Sequence, residues 1–214
     1  MRAHPSLICA LFAALLVGAP AAELTRSQAA AALEMPDATS RLAAVDRLAL
    51  IGTMTEADRV LARLADPDAR VREAASAAIW RIWGRSGDAA VDKLYAAGLE
   101  AMASDALGDA LATFSEIIRR KPSFAEGWNK RATIYFLLGD YARSLKDCDE
   151  VFKRNPHHFG ALAGAGQIHL QLGNPRLALE FFRRAVEINP NLDGPALLIP
   201  QLEEQIRDDD RHRT

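Results

Sequence analysis

Three prolines, Pro122, Pro156 and Pro190, stand 34 residues apart, in the settings Arg-Lys-Pro-Ser, Arg-Asn-Pro-His and Ile-Asn-Pro-Asn. A fixed period of this length describes a stack of one supersecondary unit, each copy burying its apolar face against the next. Aligned on the prolines, the chain falls into blocks 91–124, 125–158 and 159–192. Small residues recur in phase at Gly98, Ala132 and Gly166, so two helices can approach closely there, with Phe114 and Phe182 filling the gap across the pair. Leu-Gly-Asp at 138–140 and Leu-Gly-Asn at 172–174 predict a helix end, with a glycine free to take positive φ and an Asp or Asn to cap the next helix. Pro175 falls at a first helical position, where its missing N–H costs nothing.

The second block carries Trp128, Ala132, Tyr135, Gly139, Tyr141, Ser144 and Pro156 in the order of the tetratricopeptide (TPR) pattern, and the third carries Leu162, Gly166, His169, Gly173, Ala178, Phe182, Ala185 and Pro190. The first, with Leu94, Gly98, Ala110, Phe114 and Pro122, is looser but in register. The chain thus resembles the TPR family. Upstream, the run from Leu61 to Ala75 resembles a HEAT-type repeat: Asp66 is placed to cap and Pro67 to start a helix whose apolar stripe is Val71, Ala74, Ala75, Ala78, Ile79 and Ile82. Thr53-Met-Thr-Glu56 reads as a capping box, and an earlier helix pair is expected over 26–33 and 37–51. The expected fold is all-α: a right-handed α-solenoid of helical hairpins. HEAT-like hairpins occupy 23–87, three TPRs 88–192, a capping helix 193–207 and a flexible tail 208–214.

Four further runs narrow the resemblance. They are Ile79-Trp80-Arg-Ile-Trp83 leading to Ser86-Gly87, the nine residues from Ala125 to Thr133, Ser144-Leu-Lys-Asp147, and the nine from Pro156 to Gly164. Together they resemble small exported TPR proteins of proteobacteria. That resemblance implies a periplasmic, non-catalytic repeat protein. Independently, Met1-Arg2-Ala3-His4, the uncharged stretch Leu7 to Gly18 and the small residues Ala19-Pro20-Ala21-Ala22 read as a secretory signal over 1–22. Its apolar run is short against the ~20 residues needed to span a bilayer, which leaves an uncleaved membrane tether as the alternative. Cleavage would remove Cys9 and leave Cys148 as a single thiol.

No motif recommends chemistry. The glycines of Gly160-Ala-Leu-Ala-Gly164-Ala-Gly166 fall inside an expected helix and no Lys-Ser or Lys-Thr follows, so they read as close packing rather than a phosphate loop. His157, His158, His169 and Cys148 show no spacing that presents two metal ligands on one face. His157 and His158 read as turn residues, His169 as a hydrogen-bonded core residue and Cys148 as an inert buried thiol. No enzyme activity, metal or cofactor is expected. A net charge of -2 also argues against nucleic-acid binding.

Arg131 stands where the repeat pattern expects an apolar residue, and calls for a carboxylate partner, Asp147 or Glu100. It fixes a helix angle or, with Asn129 and Lys130, faces a partner. Trp80, Trp83, Trp128 and Tyr135 are expected to be structural, with Pro122, Pro156 and Pro190 closing the repeats. First helices line a TPR groove, which here receives Tyr95, Leu99, Met102, Asn129, Lys130, Thr133, Phe136, Ala163, Gln167 and Gln171. TPR domains that clamp acidic chaperone tails use Lys and Asn at five positions. Those positions here hold Tyr95, Leu99, Lys130, Gly160 and Gly164, so four depart from the clamp. A peptide with apolar anchors suits the groove better. The expected function is a periplasmic scaffold binding an unidentified protein or peptide, with no stable membrane insertion after signal cleavage. The alternative is a self-associating structural array. Basic pairs near the ends of second helices, such as Arg119-Arg120 and Lys153-Arg154, complement helix dipoles.

Overall fold

A computed structural model describes residues 24–212; the signal-peptide expectation on 1–22, with Cys9, lies outside the described residues. Among these residues the chain is all helical, with eleven α-helices and no strand. It divides into two compact units, the first ending at Ile82 and the second beginning at Trp83, rather than at the expected 87–88. None of the described helices is long and apolar enough to cross a membrane.

The first unit contains α1 (Arg26–Ala32), α2 (Ala38–Ile51), α3 (Ala57–Ala62) and all but the last residue of α4 (Ala69–Trp83), with Trp83 counted in the second unit, and 3-10 turns at Met54–Glu56 and Arg63–Ala65. The expected early helix pair is present, and side chains set its starts. Thr25 and Gln28 form a capping box, Asp37 accepts from the Ser40 amide at 2.7 Å, and Thr53 and Glu56 form the expected box. Val45, Leu48, Leu64, Val71, Ile79 and Ile82 are fully buried. The expectation that Asp66 caps α4 is corrected. Asp68 accepts from the Arg70 amide at 2.9 Å, and Asp66 grips Arg41 through two bonds of 2.7 and 2.8 Å. Arg41 also donates to the carbonyls of Met35 and Pro36, fixing the α1–α2 turn with a side chain. The HEAT likeness of this unit rests on sequence alone.

The second unit contains α5 (Ala89–Ala103), α6 (Leu107–Arg120), α7 (Ala125–Leu137), α8 (Tyr141–Arg154), α9 (Phe159–Gln171), α10 (Pro175–Ile188) and α11 (Asp193–Arg211). Here the backbone sets the turns. Gly139 and Gly173 take φ of +75° and +71°, and Asp105, one period upstream, takes +57° without being glycine. Pro122, Pro156 and Pro190 each lie in the turn that follows a second helix. Asp140 caps α8 as expected, accepting from the Arg143 amide at 3.0 Å, whereas Asn174 makes no side-chain cap before Pro175 at the start of α10. The tail expectation is corrected as well. Helix α11 continues to Arg211, held by ion pairs of Arg176 with Asp210 and Arg211 with Asp208.

Gly98 and Gly166 serve close packing: a Cβ there would lie 2.7 Å from Phe114 and 2.6 Å from Phe182. The same pair of positions in the middle repeat holds Ala132 and Cys148. Where the outer repeats insert an aromatic ring, this one inserts a thiol.

Candidate functional site

The missing ring leaves a space. A cleft of about 270 Å³ opens among α7, α8 and α9, lined by Asn129, Ala132, Thr133, Phe136, Ser144, Cys148, Gly160, Ala161, Ala163, Gly164, Gln167 and Ile168. No Lys, Arg, His, Asp or Glu is among them. Burial, aided by Asp147 and Asp149, pushes the Cys148 thiol up to about 12, so it stays protonated. Several polar atoms around the cleft are already committed. Ser144 Oγ donates to the Ala132 carbonyl at 2.7 Å, Thr133 Oγ1 donates to the Asn129 carbonyl at 3.0 Å, and Asn129 Nδ2 donates to both Glu126 oxygens at 3.1 and 3.3 Å.

Behind Asn129 lies a buried polar cluster that the sequence reading missed. Glu126 and His158 are 1% and 0% exposed, and His158 Nε2 meets Glu126 Oε1 at 2.5 Å. His158 Nδ1 accepts from the Ala161 amide at 3.0 Å, so the ring proton sits on Nε2 and donates to the carboxylate. Tyr95 donates its hydroxyl to Glu126 at 3.1 Å, and Lys130 Nζ lies 3.7 Å away. Burial raises the Glu126 carboxyl, but His158, Lys130 and Asn129 outweigh it and hold the group below the usual range. Tyr95, buried beside that charge, is pushed above its usual value. The Trp83 indole stacks on the His158 ring at 4.4 Å. The cluster therefore joins residues from all three repeats. A Glu at the start of one first helix and a His 32 residues on, just before the next, was the available signal.

The expected groove residues separate accordingly. Asn129, Thr133, Phe136, Ala163 and Gln167 meet at the cleft. The groove expectation is corrected for Tyr95, whose ring packs edge-on to Phe114 at 6.0 Å and Phe124 at 5.4 Å while its hydroxyl serves Glu126. Met102 is half-buried against the same core. Lys130 turns to Glu126, and Leu99 and Gln171 are exposed away from the cleft.

Arg131 pairs with Asp147 through bonds of 2.7 and 2.8 Å, and its third nitrogen donates to Ser115 Oγ at 3.3 Å. Trp128 Nε1 donates to the Pro122 carbonyl at 2.9 Å, and its ring carries the guanidinium groups of Arg154 at 4.7 Å and Arg131 at 5.1 Å. Tyr135 is buried under Arg143 at 4.6 Å, and Trp83 is buried while Trp80 is 37% exposed. His157 is exposed in its turn, whereas His158 is not a turn residue in the sense expected. The His169 expectation is also corrected: the ring stacks on Phe181 at 5.4 Å and its buried Nδ1 has no hydrogen-bond partner among the described residues. No group of three His, Cys, Asp or Glu side chains among the described residues is placed to hold a metal ion.

An uncharged cleft between stacked helical hairpins defines a binding module of the repeat class. Residues 95–151 and 138–193 match the tetratricopeptide repeat family, so this part of the chain consists of TPRs. A TPR repeat-containing protein of Rhizobium etli is 37% identical over 108 residues, 50% of this chain and 53% of that protein. Hsp70-Hsp90 organizing protein 1 of Glycine max is 27% identical over 100 residues, 45% of this chain and 18% of that protein. The chain thus spans about half the length of the first relative and less of the second. Among solved structures, the first TPR of Spaghetti (RPAP3) bound to the HSP90 peptide SRMEEVD is similar with a TM-score of 0.52 at 18% identity, over 55% of this chain and 93% of that one. The Sgt2 TPR domain from Aspergillus fumigatus is similar with a TM-score of 0.53 at 19% identity, over 58% and 83%. TPR proteins are protein-interaction scaffolds, and the likeness to these two structures is one of fold.

Proposed function

We propose that this protein is a non-catalytic adaptor that holds a segment of another protein in the cleft among α7, α8 and α9, and that it works in the periplasm. The observation that carries the binding role is the space left at Cys148, where the repeats on either side place Phe114 and Phe182. A fold that packs rings at two equivalent positions has the means to fill the third. Support for a peptide ligand also comes from the structural neighbour bound to an HSP90 peptide. The acidic character of that peptide does not transfer, because Tyr95, Leu99, Gly160 and Gly164 occupy four of the five clamp positions. Export is supported by the signal-like order of residues 1–22.

The test is in-cell photo-crosslinking from a benzoylphenylalanine placed at exposed Thr133, with and without the double change Ala132→Gly and Cys148→Phe. That double change copies the packing of Gly98 with Phe114 and should fill the cleft while keeping the fold. A discrete heterologous crosslink, lost in the filled variant at unchanged melting temperature, is expected. Crosslinks indifferent to the filled cleft overturn the adaptor role, and concentration-dependent oligomers without a heterologous crosslink favour self-association. Recovery of the full-length chain in the cytoplasmic fraction alone overturns the location.

A further inference from the structure

Gly164 sits in the middle of α9, where glycine costs a helix about 0.5–1 kcal/mol relative to alanine. Nothing in the protein demands it. A Cβ at Gly164 would meet no atom within 4 Å, whereas one at Gly98, Gly127 or Gly166 would lie under 3.0 Å from a side chain. Gly108 and Gly194 are equally open, but both lie in the first turn of a helix. Gly164 keeps the cleft wall bare, and a bare helical backbone suits close approach by another backbone.

The polar groups at that wall have a sign. Asn129, a residue of the cleft wall that is 8% exposed, turns its Nδ2 to both Glu126 oxygens, which leaves Oδ1, without a hydrogen-bond partner among the described residues, as the acceptor of that side chain. An acceptor held this way by an ionised carboxylate favours a neutral N–H donor. It disfavours an anion, since no cation lines the cleft and Glu126 stands behind Asn129. A cationic ligand would lose its water without meeting an unpaired carboxylate, because Glu126 is already met by His158, Tyr95, Asn129 and Lys130.

Resting on the adaptor reading above, we propose that the cleft recognises an internal, uncharged stretch of extended peptide, which seats one aliphatic side chain beside Cys148 and donates a backbone N–H to Asn129 Oδ1. Free chain termini and acidic tails are rejected. A volume of about 270 Å³ admits one blocked aliphatic residue and little more.

Three probes with one side chain test this: N-acetyl-L-leucine N-methylamide, which is neutral, N-acetyl-L-leucine, an anion, and L-leucine N-methylamide, a cation at neutral pH. Each is titrated into the 15N-labelled protein at millimolar concentration while amide shifts are followed. The neutral probe should move the Asn129 side-chain amide, Gly164 and Gln167, with an affinity at least fivefold above either charged probe, and Gly164→Leu should abolish the response at a melting temperature no lower than that of the unaltered protein. Equal or tighter binding of a charged probe, a response elsewhere, or none for the neutral probe overturns the ligand class. If crosslinking in cells is nevertheless lost when the cleft is filled, the adaptor role stands and only the ligand class falls. If crosslinking survives the filled cleft, the adaptor role itself falls.

Discussion

The two units solve one problem, how to turn a chain between antiparallel helices, in different ways. In the first, side chains do it: Arg41 reaches the carbonyls of Met35 and Pro36 while Asp66 grips its other two nitrogens. In the second, the turns at Gly139 and Gly173 are made by backbone conformation, with a proline at the end of each repeat. Polar side chains there are released for other work. Arg131 and Asp147 tie one hairpin together, while Glu126 takes Tyr95 from the repeat before it and His158, which caps the first helix of the repeat after it. The difference teaches that a repeated sequence can delegate its turns to stereotyped backbone, whereas an aperiodic one spends buried charge on them.

The largest break in this comparison should come from Arg41→Leu. Asp66 has a side-chain exposure of 0%, so the change leaves its buried carboxylate with only the Asp68 amide at 3.0 Å and Arg63 at 3.7 Å, and deprives two turn carbonyls of their donor. A loss of about 3–5 kcal/mol in urea unfolding is expected. Arg131→Leu, at a pair that is 19% and 6% exposed, should cost about half as much. Next come the glycines. Gly166→Ala places a methyl against Phe182 and should cost about 1–3 kcal/mol, whereas Gly164→Ala should gain about 0.5–1 kcal/mol by thermal melting. If both changes behave alike, close packing is not what separates these glycines.

Acid sharpens the contrast further. The folded-state Glu126 pKa lies below its unfolded value, so its contribution is present above the ordinary glutamate range, near 4.5, and is lost as pH falls below it. Glu126→Gln should therefore flatten the acid limb of stability against pH. Glu116, paired with Arg119 and Arg120 on the surface, is also lowered, to about 2, but its share should vanish in 1 M salt while that of buried Glu126 persists. An acid limb wholly abolished by salt would contradict a buried origin. An effect as small as that of Gly164→Ala is expected at Asp105, the place in the repeats where the backbone device departs from glycine. Asp105→Gly should stabilise by about 0.5–1 kcal/mol, measured by melting.

Much of the second unit was legible because its determinants are local. A proline, a turn glycine or a cap acts within a few residues, and the period repeated the proline three times and the turn glycine twice. Arg131 was legible as an anomaly in that period, although only the structure chose Asp147 over Glu100. The cleft was half legible: most of its first-helix residues read as groove positions, but Cys148 read as an inert thiol, because a missing ring shows only once the volume beside it is seen. Glu126 and His158 were hidden by their 32-residue separation, which repeat stacking converts into contact. Tyr95 was misplaced because a groove position in one repeat doubles as a packing position for the next. Asp66 was misread because a good capping residue is equally good at gripping a guanidinium.

Cys148 also gives the second unit a clock. Its thiol is 3% exposed and faces the cleft, so alkylation under native conditions must wait for α8 to part from its neighbours. When reclosing outpaces the reagent, the labelling rate divided by that of the unfolded thiol is the fraction of molecules open at any instant. A seated ligand would slow that clock in proportion to its occupancy, so binding could be timed without knowing what was bound.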